Sequence, residues 1–165
     1  MANVIVYTRP DGGVSIVNLS PSAIAKRVAG GMTEDQAFAA IQAKSVPSDA
    51  SNIEVTDQAL IPVSREYRDA WEKPVASPII INMPKARMIH SGNISAAKAD
   101  AITTLGRGAD EATLEGRTAD ATKAANDKAA VEGLNLTTIA AQIAGAANPT
   151  ALSAIWPAEL QEFKP

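Results

Sequence analysis

The sequence has no cysteine and only one histidine, His90, among 165 residues. The first absence excludes disulfides, thiolate zinc sites, iron–sulfur clusters and thiol catalysis together. The second excludes a histidine cluster around a metal ion within one chain. Aromatic side chains are scarce: two Trp, two Tyr and two Phe, so each large ring is a candidate anchor. Charge of one sign is lacking too. Fifteen Lys and Arg against 18 Asp and Glu leave a net charge of −3, with no cationic footprint for nucleic acid or anionic lipid. No run approaches the ~18 apolar residues of a membrane helix. The stretch from Met1 to Tyr7 lacks the positive flank and long apolar core of a signal peptide, so synthesis in the cytoplasm is expected. No cofactor, metal ion, nucleic acid or membrane is expected as a partner.

What is present is an ordinary hydrophobic share, 46%, which fits a folded chain. The pattern divides near residue 82. In residues 1–82, Val4-Ile5-Val6-Tyr7 and Val14-Ser15-Ile16-Val17 flank Arg9-Pro10-Asp11-Gly12-Gly13, a β-hairpin pattern. Ser20-Pro21 predicts a helix start with a capping hydroxyl, and Gly30-Gly31 its stop. Thr33 and Gln36 form a capping box for a second helix that ends before Pro47. Short strands are expected at Ile53–Val55 and Ile79–Ile81, an edge strand at Leu60–Val63, and one or two helical turns over Arg65–Trp71.

Residues 83–165 read as nearly all helical. Pro84 opens a helix, Gly106-Arg107-Gly108 interrupts it, and a second stretch runs from Asp110 to about Glu132. Shorter helices follow over Leu136–Ala144 and after Asn148-Pro149, the last carrying Leu152, Ile155 and Trp156 up to Pro157. The chain has 33 alanines, most of them beyond residue 84. Alanine favours helix but buries little surface, and from Ala109 to Ala130 the only large apolar residue is Leu114. Such a helix is marginal alone and needs close packing on a neighbouring helix, of its own chain or of another copy. The expected fold is α+β: a small N-terminal β-hairpin sheet with inserted helices, then an Ala-rich helical region.

Catalytic motifs are missing. Asp11-Gly12-Gly13 and Gly106-Arg107-Gly108 match neither phosphate-loop nor dinucleotide spacing and read as turns. Asp110, Glu111, Glu115 and Asp120 do not follow the spacing of a calcium loop and read as a solvated helix face. His90 could be a general base or a hydrogen-bonded packing residue; no local Ser or Asp pattern favours the former. Trp71, Trp156 and Tyr67 are either core anchors or protein-interaction anchors, since Trp and Tyr dominate binding hot spots. Trp71 and Trp156 are expected to hold the two parts together or to hold a partner.

Three segments, in order, carry a family resemblance. Tyr67-Arg68-Asp69-Ala70-Trp71 resembles an "F/Y-R-x-A-W" element found in small proteins encoded among the tail genes of tailed bacteriophages. Ile81-Asn82-Met83-Pro84-Lys85-Ala86-Arg87-Met88-Ile89-His90 resembles that group's "V-D-M-P-K-A-R-E-I-H". Asn148 to Leu160 is similar to its closing "T-P-E-E-L-K-A-x-W-P-x-x-L". Ser91-Gly92-Asn93 and the alanine-rich stretch depart from the Arg-rich helix and Leu-rich core usual in the group. The resemblance implies a structural protein of the phage tail (tip, baseplate or fibre attachment), present in several copies in the virion and bound to other tail or tail-fibre proteins. The alternatives are a tail-fibre assembly chaperone that leaves the particle, a head decoration protein, or a small hydrolase. The resemblance brings no catalytic residue with it.

Overall fold

The computed structural model describes residues 3–165. The chain forms two compact units, one ending at Asn82 and one spanning Met83–Pro165. The fold is α+β: the strands lie in the first unit, and the second is helical.

In the first unit, β1 (Asn3–Thr8) and β2 (Val14–Asn18) form the hairpin, and β3 (Ser51–Asp57) pairs on the other side of β1, giving the antiparallel order β2-β1-β3. As the central strand, β1 buries Val4, Ile5 and Val6 on both faces, which is why its sequence is a continuous apolar run. Gly12 takes a φ of +81° at the turn, and Asp11 Oδ1 accepts from Gly13 N at 2.8 Å and from Arg9 Nε at 3.1 Å. The Arg9 hydrogen bond, aided by the Gly13 N–H, holds the Asp11 carboxyl below its ordinary pKa of 3.8.

Helix α1 (Pro21–Ala29) starts where expected, but Ser20 does not cap it. Its hydroxyl lies 2.8 Å from Ser22 Oγ instead. Helix α2 (Glu34–Ser45) does carry the capping box: Gln36 N donates to Thr33 Oγ1, and Thr33 N donates to Gln36 Oε1. The edge strand expected at Leu60–Val63 is absent. Asp57 Oδ1 accepts from Ala59 N at 2.9 Å, and the chain curls into a 3₁₀ turn over Gln58–Leu60. The helical signal before Trp71 amounts to one 3₁₀ turn, Arg68–Ala70. Trp71 itself opens β4 (Trp71–Glu72), which pairs with β5 (Ile80–Ile81).

The second unit is built on α3 (Met83–Leu114), a helix of 32 residues. It runs straight through Gly106-Arg107-Gly108, against expectation. Two glycines weaken a helix by about 1 kcal/mol each but do not break it when their φ stays helical. The break falls at Gly116, whose φ is +70°, with Arg117 N reaching back to Ala112 O at 2.8 Å. This is the left-handed helix stop that glycine favours. A Cβ on Gly108 would meet nothing within 4 Å. Gly108→Ala is therefore expected to raise stability by about 0.5–1 kcal/mol, read as a higher thermal midpoint.

Helix α4 (Thr118–Glu132) packs along α3, so within this unit the alanine-rich helix finds its neighbour in its own chain. On α3 the buried positions are Ala86, His90, Ile94, Ala97, Ala101 and Ala112. The first five form a stripe at helical spacing, and its small side chains permit close approach. Met88 lies off this stripe and is 73% exposed. Asn135 caps α5 (Leu136–Gly145), and Asn148 caps α6 (Pro149–Ser153). Helix α6 is shorter than expected, so Ile155 and Trp156 lie beyond it. A 3₁₀ segment, Ala158–Phe163, closes the chain.

Candidate protein-interaction site

The sequence-selected rings have different surroundings. Tyr67 and Trp71 are 1% and 0% exposed. Trp71 packs with Val4, Val6, Val14, Ile61 and Ile79 in the core of the first unit. The guanidinium of Arg65 lies 5.7 Å from the centre of its ring. Its indole Nε1 is buried without a hydrogen-bond partner. Trp71 is thus a core residue of its own unit.

Trp156 is only half-buried. Its Nε1 donates to Leu160 O at 2.8 Å, and Lys164 Nζ lies 5.6 Å from the ring centre. His90 meets the ring edge-on, at 5.8 Å between centroids and 71° between planes. His90 is 1% exposed, and its Nε2 is 2.7 Å from Ile155 O. A carbonyl only accepts, so Nε2 carries the hydrogen. His90 is a hydrogen-bonded packing residue.

Sequence reasoning missed a pattern on α3. Arg87, His90 and Lys98 lie on one stripe, and each donates to a backbone carbonyl of the returning chain. Arg87 reaches Ala146 O at 2.7 Å, just past α5, and His90 reaches Ile155 O. Lys98 Nζ reaches Glu132 O at 3.0 Å and Leu134 O at 3.1 Å. Carbonyls at a helix end have no partner within the helix and favour a cation. The helical spacing of these donors was visible, but backbone acceptors have no letter. Lys98→Met should cost about 1–2 kcal/mol in chemical denaturation, with fraying confined to the end of α4 in amide exchange. An ion pair between a buried lysine and an exposed carboxylate was also missed: Lys73, 7% exposed, lies 2.6 Å from Glu54 Oε2 and 2.7 Å from Ser77 O.

The His90 bond holds the segment after α6 against α3, and that segment forms one wall of an open cleft of about 540 Å³. Ile155, Trp156 and Pro157 line it on one side, with Leu134 and Ile139 opposite and Thr138 and Gln142 among them. An apolar floor with polar margins and a half-buried tryptophan has the make-up of a contact surface. Within the first unit Trp71 pairs with Ile81 and Asn82 N donates to Ala70 O at 2.8 Å; within the second, His90 contacts Ile155 and Trp156.

Among the described residues no group of three or more His, Asp or Glu side chains could hold a metal ion, and no helix is long and apolar enough to cross a membrane. No family model, curated protein or solved structure matches the chain.

Proposed function

We propose that this chain is a structural protein of a bacteriophage tail, at the tip, baseplate or fibre attachment. It is made in the host bacterial cytoplasm and acts through contacts with other tail or tail-fibre proteins and with its own copies. The observation that carries the reading is the place of Asn148–Leu160. This segment resembles tail-associated proteins, and it supplies Ile155, Trp156 and Pro157 to the open apolar cleft. The indole N–H of Trp156 is satisfied within the chain, so the rest of the ring is available to a partner without stranding a donor.

Mass spectrometry of purified particles tests the reading. Recovery of the chain in stoichiometric amount supports a virion subunit. Absence from particles, together with co-purification with a fibre protein from infected cells, would replace it with the chaperone role. Trp156→Ala is expected to reduce incorporation into particles while the chain still folds.

A further inference from the structure

The sheet of the first unit ends on an unfinished edge. Strand β3 is an outer strand, and among the described residues no backbone group of Ser51–Asp57 bonds beyond its ladder with β1. Residues 51–55 are all exposed, Ile53 and Val55 at 39% each. The usual protection of an edge is missing. The strand has no Pro and no Lys, and its mid-strand charge, Glu54, is held by Lys73 at 2.6 Å. An irregularity at Asn52, whose φ is +49°, ends the regular edge on one side and leaves residues 53–57.

The ladder fixes which groups point outward. Arg9 N donates to Gly13 O at 2.8 Å, so the backbone of Arg9 faces β2. Both polar groups of a strand residue point to one side, and the side alternates along the chain. Tyr7 and Ile5 therefore also face β2, while Val4 and Val6 face β3, where their partners are Thr56 and Glu54. The N–H and C=O of Val55, between those two, face the open side. Only another extended backbone meets such an edge at its own spacing.

We propose that two copies of this chain pair antiparallel through β3, with Val55 opposite Val55 across a twofold axis, so that two sheets become one. The partner is a second copy because β3 matches itself in this register. The two Val55 residues exchange N–H···O bonds, and Glu54 lies opposite Thr56, a hydroxyl donor to a carboxylate. Ile53 and Val55 of both copies fall on the face that Ile5 occupies and cover one another. Moving the axis to Glu54 would set two carboxylates against each other, and moving it to Ile53 would draw the irregular Asn52 into the ladder. Both copies use the same surface, so the assembly closes at a dimer. The inference gives a place to the contact between copies proposed above and rests on that reading.

Sedimentation of the purified full chain across the micromolar to millimolar range is the test. A monomer–dimer equilibrium with nothing larger is expected. Val55→Lys and Val55→Glu each set like charges face to face across the axis and should weaken the dimer by about tenfold or more, with unchanged circular dichroism. Mixed in equal amounts, the two variants should pair with each other, because Lys then meets Glu. In the wild-type chain the Val55 amide should exchange more slowly with solvent as concentration rises, a readout that needs no variant to fold. A wild-type chain that stays monomeric throughout would overturn the proposal and hand the edge to an extended segment of another protein. A dimer indifferent to both substitutions, folded variants that fail to pair, or a Val55 amide indifferent to concentration would overturn it too. A monomeric chain that is nonetheless found in particles removes this interface and leaves the tail reading standing. Dimerisation as described by a chain absent from particles does the reverse.

Discussion

Trp71→Ala is expected to destabilise the first unit by about 3–5 kcal/mol, the cost of emptying a core site of its largest ring. The side chain is 0% exposed, and Val4, Val6, Val14, Ile61 and Ile79 would line the resulting hole. These residues come from β1, β2 and the turns on either side of β4, so no single movement can close it. A companion variant separates ring from donor. The indole Nε1 has no hydrogen-bond partner, so Trp71→Phe forfeits volume but no hydrogen bond and should cost only about 1 kcal/mol. Urea titration followed by far-ultraviolet circular dichroism measures both. A Trp71→Ala midpoint within the range of a surface substitution, about 0.5 kcal/mol, would remove Trp71 from the core.

The second large effect belongs to His90. His90→Ala should cost the second unit about 2–4 kcal/mol, combining a cavity with a lost hydrogen bond. The Ile155 carbonyl loses its 2.7 Å donor, and the Trp156 ring loses its edge contact. The consequence is specific as well as large. The segment after α6 is held to α3 at Ile155, so releasing it should move Trp156 toward water while α3 stays helical. In a Trp71→Phe background Trp156 is the sole tryptophan, and its emission should shift to the red. Unchanged emission with unchanged stability would show that His90 holds nothing. Because this wall of the cleft depends on His90, the proposed tail role carries a further expectation: incorporation into particles falls in parallel.

Local signals were legible wherever a short stretch contained both halves of an interaction. The hairpin turn needs only Pro10, Asp11 and Gly12, and the capping box needs only Thr33 and Gln36. Asn148 caps the helix that begins beside it. Expectations failed where a local preference met a competing partner. The Ser20 hydroxyl found Ser22, and Asp57 drew the chain into a turn before Leu60 could extend. Gly106 and Gly108 stayed helical, because glycine permits a break without requiring one, and the left-handed residue was Gly116.

The candidate site was half legible. Its tryptophan stood out because aromatics are scarce, and its closing segment by resemblance. Its cleft did not, because the opposite wall comes from Leu134 to Gln142, and the supports are backbone carbonyls met by Arg87, His90 and Lys98.

By itself, then, the amino-acid order determined the α+β class, the hairpin, most helix starts, and the absence of thiol and histidine-cluster chemistry. These follow from backbone geometry and residue type over a few positions. Only the tertiary structure decided that Trp71 is core while Trp156 borders an open cleft, and that His90 is a support. Exposure depends on which distant segments arrive to cover a side chain, and that is a property of the whole packing rather than of any stretch within it.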